Sequence, residues 1–172
     1  MVTPKALRQA IVAGLLGAST DAGASVFDSR MPPWQPSELP ALTVYSQSAN
    51  EQNLSISSAF MRRTETIVVE AIVSGTVDAD VASDLDDLED QVKTFLLTNQ
   101  TWSADIEKIG SIAVKRGRDI ESGKRTMISQ IGIQVEYVVA YEPVIGDDLH
   151  TVDLTVDEPT DTPQVEAIYT LP

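Results

Sequence analysis

Residues 125–141, RTMISQIGIQVEYVVAY, place apolar side chains at nearly every second position. Such alternation is typical of a β-strand with one face on a core and the other toward solvent. The predicted core face holds Met127, Ile131, Ile133, Val135, Tyr137, Val139 and Tyr141, and the other face holds Gln130, Gln134 and Glu136. Because this is long for a strand, we expect its first third to project as an arm together with its hairpin partner.

The segments before this strand predict its hairpin partner and a long helix. Residues 106–116 have strand character and reach residue 125 through a turn region that contains Gly117 and Gly123. Upstream, residues 79–98 repeat apolar side chains with the 3.6-residue period of a helix, at Val81, Leu85, Leu88, Val92, Phe95 and Leu96. We expect Asp78 or Asp80 to cap this helix, where the positive end of the helix dipole stabilises a carboxylate.

The N-terminal part predicts a second helix and further strands. Thr3 followed by Pro4 is a helix start, and the apolar spacing after it predicts a helix over 4–17. Val26 and Phe27 predict only a short strand. The prolines between 32 and 40 predict an extended connector without helix. Two strands are expected, at 41–45 and 60–74, with a polar loop over 47–58.

The resulting order of helices and strands favours an α+β fold, with a mostly antiparallel sheet and both helices packed on one of its faces. This domain is expected to span residues 1–142. Residues 143–172 contain prolines and acids but no base, so we expect an acidic C-terminal extension that is extended or disordered on its own. Within it, only 152–156 and 167–171 alternate as strands do, and we expect them to order by pairing against a sheet edge.

Composition excludes most catalytic chemistry. The chain of 172 residues has no cysteine and no apolar run of membrane length, which predicts a soluble domain of ordinary size. Its only histidine, His150, lies in the acidic extension, so neither a hydrolase triad nor an imidazole metal site is expected. Phosphate-binding glycine loops and nucleophile elbows are missing from the sequence. We therefore predict a protein that is not an enzyme and that uses no cofactor and no metal.

Charge is distributed unevenly along the chain, whose formal net charge is −14. Seven acids and no base lie between residues 78 and 90. Three of them, Asp80, Asp84 and Asp87, share one surface of the predicted helix. Because a calcium loop would need a glycine among its ligands, this favours a solvated or channel-facing acidic face over a metal site. The bases cluster around the predicted hairpin, at Lys115, Arg116, Arg118, Lys124 and Arg125.

Three interpretations of this basic hairpin are possible. It has no aromatic side chain on which a base could stack, which disfavours direct contact with DNA. A solvated hairpin is a second alternative. We favour docking onto an acidic patch of an identical neighbour, because the chain contains 26 acids. Opposite charges on separate segments suit head-to-tail contacts, and such contacts close into rings.

The N-terminal third has a recognisable order of motifs. The segment LRQAIVAGLL (7–16) leads to Ala22-Gly23 and Val26-Phe27, and Arg30 with its proline-rich connector then leads to ELPALTVY (38–45). This order resembles the tail terminator or minor tail protein family of long-tailed bacteriophages, siphophages or myophages. The similar layout of strands and helix after it extends the resemblance over roughly residues 4–142. The family has no short catalytic motif from which site residues could be transferred.

The resemblance implies a structural virion protein of the tail or neck, assembled in the host cytoplasm. Such proteins form a homohexameric ring that caps the head-proximal end of the tail tube, ends tube polymerisation and provides the surface for head–tail joining. The implied partners are further copies of the chain, the tail tube protein and the head–tail connector proteins. DNA would pass through the channel without specific binding, and no membrane is involved. Because the extension after Pro143 departs from the family pattern, another phage neck or head-completion protein and a non-oligomeric acidic binding module stay open as alternatives.

Overall fold

The structure, a computed structural model, describes the backbone of residues 3–54, 59–121, 124–141, 151–154 and 167–170, with side chains over 3–54, 59–118 and 125–141. The chain divides into two compact units, Met1–Tyr141 and Glu142–Pro172. The first unit contains a five-stranded sheet and two α-helices. Its elements are α1 (Pro4–Gly17), β1 (Val26–Asp28), β2 (Ala41–Asn53), β3 (Phe60–Gly75), α2 (Asp78–Thr98), β4 (Lys108–Glu121) and β5 (Lys124–Ala140).

The strands of the sheet follow the order β1-β2-β3-β5-β4. Only β1 and β2 pair in parallel, and every other neighbouring pair is antiparallel. The predicted α+β fold with a mostly antiparallel sheet is therefore confirmed. Projection of the β4–β5 hairpin as an arm stays a prediction.

The core lies between the two helices and one face of the sheet. Register brings Val69 of β3 opposite Val44 on one side and Ile131 on the other, so apolar positions of three strands coincide. Helix α1 contributes Leu7, Ile11 and Leu15, and α2 contributes Val81, Leu85, Leu88, Val92, Phe95 and Leu96. Helix α1 lies over β1 and β2, whereas α2 lies over β3 and β5. The β5 face predicted from alternation is confirmed from Ile131 to Val139, because every odd-numbered residue in this range is buried.

The two helices begin differently. Helix α1 starts as predicted, with the Thr3 hydroxyl accepting a hydrogen bond from the Ala6 amide and proline in the first turn. The predicted aspartate cap of α2 is wrong. Val77 occupies the N-cap position, and Asp78 is already the first helical residue. The Asp78 carboxylate instead forms an ion pair with Arg125.

The polar segment after residue 46 is a strand where a loop was predicted. Strand β2 continues to Asn53 in register with β3, after a bulge between Ser46 and Ser48. Polar side chains occur there because this part of the strand is largely exposed to solvent. Backbone pairing and the cross-strand ion pair between Glu51 and Arg63 hold it in the sheet.

Two smaller predictions are also corrected. The proline-rich connector was expected to exclude helix, yet Pro36–Glu38 forms one 3₁₀ turn. Proline fits the first position of such a turn, and the Glu38 carboxylate accepts a hydrogen bond from the Gln35 amide. Gly117 was assigned to the hairpin turn but lies within β4, opposite Ile128 of β5.

The described residues of the second unit form two short strands, β6 (Thr151–Leu154) and β7 (Ala167–Thr170), paired antiparallel. They overlap the two segments of the extension that were predicted to be strands, although β6 begins one residue before 152–156. The strand that pairs with β6 is β7. His150 and most other residues of the extension lie outside the described residues.

Candidate assembly surfaces

Two of the five bases predicted to contact a neighbour are engaged within the chain. Arg116 of β4 places its Nη2 atom 2.7 Å from Asp86 and 2.8 Å from Glu89, both on α2. Arg125 of β5 lies 2.8 Å from Asp78, at the start of the same helix. These ion pairs connect the part of the hairpin nearest its turn to α2.

Glu89 is the centre of this connection. Only 3% of its side chain is exposed, and it accepts hydrogen bonds from Ser129 at 2.9 Å, from the Arg116 Nε atom at 3.0 Å and from Lys93. Burial acts to raise the pKa of Glu89, but the hydrogen bonds from Lys93, Ser129 and Arg116 outweigh it and hold the pKa below its usual value. The ionised carboxylate therefore stabilises the packing of α2 on β4 and β5.

The other predicted bases have different surroundings. Lys115 and Arg118 are exposed on β4, which is an edge strand, and form no ion pair with a described residue. Lys115 lies opposite Gln130 and lines the sheet face that points away from the helices. Arg118 lies opposite Met127, on the helix side of the sheet. The Lys124 side chain lies outside the described residues.

The chain contains twelve bases, and ion pairing divides the eleven whose side chains are described into two groups. Eight form ion pairs with described carboxylates, namely Arg8, Arg30, Arg62, Arg63, Lys93, Lys108, Arg116 and Arg125. Among the side chains that the structure describes, Lys5, Lys115 and Arg118 are left without such a partner. The two on β4 are consequently available to a second molecule.

The three predicted acidic residues of α2 share one surface. Asp80, Asp84 and Asp87 are exposed and form no ion pair with a described residue. A helix advances about 100° per residue, so their side chains point within about 60° of one another. Gln91 shares this direction and contacts Asp21 in the loop after α1. The acidic face therefore lies on the α1 side of α2, whereas Asp86 and Glu89 face β4.

A crevice of about 710 Å³ opens between α2 and the loop after α1. Two hydrogen bonds close one side of it: the Asp21 amide donates to Gln91 at 2.9 Å, and the Gln91 side-chain amide donates to the Asp21 carboxylate at 2.6 Å. Thr20 also lines the crevice, and its buried hydroxyl has no hydrogen-bond partner among the described residues. The remaining lining consists of Ala18, Asp87, Asp90, Thr94, Phe95, Thr98 and Asn99.

A second charged network, not anticipated from the sequence, lies at the far end of the sheet. Glu65 of β3 is fully buried and accepts hydrogen bonds from the Tyr137 hydroxyl and from Arg63. Arg63 also contacts Glu51 of β2, which in turn accepts a hydrogen bond from Tyr141. Burial and, next, the hydrogen bond to Glu65 raise the pKa of Tyr137 well above its usual value. The other carboxylate oxygen of Glu65 has no hydrogen-bond partner in the part of the chain that the structure describes.

Within the described ranges, no group of three or more histidine, cysteine, aspartate or glutamate side chains is arranged to hold a metal ion. Neither helix of the described part of the chain has the combined length and hydropathy needed to cross a membrane.

Comparison with known proteins identifies no family for the chain. No protein-family model and no curated protein matches it. One matching chain comes from a solved structure described as "Virion of native gene transfer agent (GTA) particle", with 16% sequence identity and a TM-score of 0.45. The match covers 77% of this chain and 96% of that chain. Identity and TM-score at this level assign neither a family nor a role.

Proposed function

We propose that this chain is a structural subunit of a tailed-phage particle, and that it forms the ring that terminates the tail tube. The observation that supports self-assembly best is the placement of its unpaired charges. Lys115 and Arg118 lie on the β4 edge, whereas Asp80, Asp84 and Asp87 lie on the α1 side of α2. Two complementary surfaces on different sides of one subunit favour a head-to-tail contact between identical copies.

A head-to-tail contact is heterologous, since a different surface of each subunit takes part. Repeating it with a fixed rotation generates a closed ring or an open helical filament. A terminator must stop growth, so the closed ring fits the role that the resemblance of residues 4–142 implies. We propose six copies, as in that family.

The charge balance also fits a ring through which DNA passes. With a net charge of −14, the assembled surface repels phosphate groups, and DNA slides through without specific binding. The same net charge makes the subunits repel one another, so their contact needs local complementarity. The proposed axial partners are the tail tube protein on one side and the head–tail connector on the other. The protein acts through assembly and not through catalysis.

Native mass spectrometry and electron microscopy of the purified chain test this proposal. We expect a mass of six copies and rings with a central hole in about 0.1 M salt. Raising salt to about 1 M shortens the Debye length from about 10 Å to about 3 Å and should dissociate the rings. A monomer at every protein and salt concentration would refute the ring and favour the non-oligomeric acidic module.

Antibody labelling of the virion separates a terminator from another neck protein. We expect the label at the head-proximal tip of the tail tube in particles that contain the chain. Label confined to another layer of the neck would contradict the terminator assignment while leaving a structural role in place.

A further inference from the structure

We propose that the crevice between α2 and the loop after α1 is the receptor for the Arg118 guanidinium of a second copy of this chain. This inference rests on the proposed ring and specifies its contact. Asp87 and Asp90 supply negative charge at the crevice, and Thr20 and Asp21 belong to its opposite side. The ion pair that forms on assembly is Arg118 of one subunit with Asp87 of the next.

The crevice has the properties of a preformed polar site. Asp21 and Gln91 hold each other through two hydrogen bonds, which fixes the loop against the helix before any ligand arrives. Thr20 is 6% exposed, and its hydroxyl lacks a hydrogen-bond partner among the residues that the structure describes. Buried hydroxyl groups nearly always have a partner in folded proteins. A donor that enters the crevice would supply the missing one.

A guanidinium fits this site better than a metal ion does. The described side chains include no cluster of three carboxylates that could coordinate a cation. Guanidinium carries five N–H donors in a planar fork, so it can bond a carboxylate and a hydroxyl at the same time. Of the two carboxylates, Asp87 has no described ion-pair partner, whereas Asp90 lies 3.7 Å from Lys93. Asp87 is therefore the stronger acceptor for an incoming charge.

Arg118 is the arginine that remains available for this contact. Every other arginine with a described side chain forms an ion pair within its own chain. Arg118 lies on the β4 edge, next to the flank of α2 that meets Arg116, while the crevice lies on the flank that faces α1. These flanks are separated by more than 90° around the helix axis, as the angle from Asp86 to Gln91 is about 140°. The contact therefore joins two different subunits.

A charge exchange tests the pairing. Arg118→Glu should raise the dissociation constant of the ring roughly tenfold or more, because a close charge pair between subunits becomes repulsive. The double variant Arg118→Glu/Asp87→Arg restores the opposite charges at every contact and should recover assembly. Arg118→Glu/Asp80→Arg is the matched control, with the same net charge and an arginine about 10 Å away along the same face of the helix, and should not recover it.

A second control separates the loss of this contact from the effect of net charge on the dissociation constant. Lys5→Glu changes the charge by the same amount as Arg118→Glu, at another exposed base without a described ion pair, and should leave the dissociation constant nearly unchanged. Circular dichroism of each variant verifies folding. The crevice assignment would be overturned, with the ring left intact, by either of two results. In one, the wild type forms rings and Arg118→Glu has the same dissociation constant. In the other, the two double variants recover assembly equally. Wild-type monomers would instead refute the proposed function.

Discussion

Arg116 and Arg118 lie two positions apart on β4, and truncating each to alanine should have very different effects on the free energy of unfolding. Arg116 donates to Glu89, a carboxylate that is 3% exposed, and also contacts Asp86. Arg118 is exposed and has no described ion-pair partner. We therefore expect Arg116→Ala to destabilise the subunit and Arg118→Ala to leave its stability within about 0.5 kcal/mol of wild type.

The magnitude follows from the two contacts of Arg116. A hydrogen bond to a charged group contributes about 1.5–3 kcal/mol, and Glu89 keeps Lys93 and Ser129 when Arg116 is removed, so the loss stays within that range. The exposed pair with Asp86 adds about 0–1 kcal/mol. The sum is about 1.5–4 kcal/mol. In a chain of this size that lowers the Tm by roughly 3–16 °C.

Urea denaturation followed by circular dichroism and by the fluorescence of buried Trp102 measures the difference. Urea is preferable to guanidinium chloride, whose ionic strength would screen the ion pairs. Equal stability of the Arg116→Ala and Arg118→Ala variants would refute the internal role assigned to Arg116.

The pH dependence provides a second readout. The folded-state pKa of Glu89 is held below the ordinary 4.5, so its ionic contribution is present above about pH 4.5 and is lost as the pH falls through the lower folded-state value. Without Arg116 this pKa rises. The stability difference between wild type and Arg116→Ala should therefore be largest near neutral pH and shrink below about pH 4.5. A difference that is constant over this range would contradict the ionic mechanism.

Two further predictions concern the core. A Cβ atom on Gly14 would lie 2.4 Å from the Phe95 ring, whereas one on Gly17 would meet nothing within 4 Å. Gly17→Ala should therefore raise the free energy of unfolding by up to about 1 kcal/mol through helix propensity. Gly14→Ala should be less stable than Gly17→Ala by about 1–3 kcal/mol in urea denaturation. Equal stabilities of the two variants would contradict the packing of Gly14 against Phe95. Leu85→Asp and Ile133→Asp each bury an unpaired charge and should abolish the folded circular dichroism spectrum, since each costs several kcal/mol. Folded, soluble variants would mean that these faces are wrongly assigned.

The fold was predictable to the extent that apolar periodicity determines it. Alternation in β5 and the helical spacing of α2 are strong signals, because burial of apolar surface dominates folding and leaves a regular trace in the sequence. The end of β2 was missed since its exposed residues have no apolar period. Pairing with β3 makes it a strand, and a single sequence does not reveal that pairing.

The sequence predicts which segments carry opposite charges, but it does not predict which residues form ion pairs. The sequence identifies a basic hairpin and an acidic helix, and their opposite charges suggest contact. Only the register of β4 against β5 shows that Arg116 faces α2 whereas Lys115 points to the other side of the sheet. The crevice has no sequence signal, because Thr20 and Gln91 are distant along the chain and meet through helix packing.

The network around Glu65 determines how β3 and β5 align. Both strands repeat apolar residues with a period of two, so a slip by two positions would still match apolar faces and cost little hydrophobic burial. The network around Glu65 raises the free energy of that shifted register. In the observed register Arg63 lies opposite Tyr137, so the arginine and the tyrosine hydroxyl both reach Glu65. A slipped strand would leave the buried carboxylate without the tyrosine, at a cost of about 1–3 kcal/mol or more. Because β5 is continuous, fixing it at this end also sets its register at the opposite end, where Arg125 lies opposite Gly75, and thus where Arg118, opposite Met127, stands along the sheet edge.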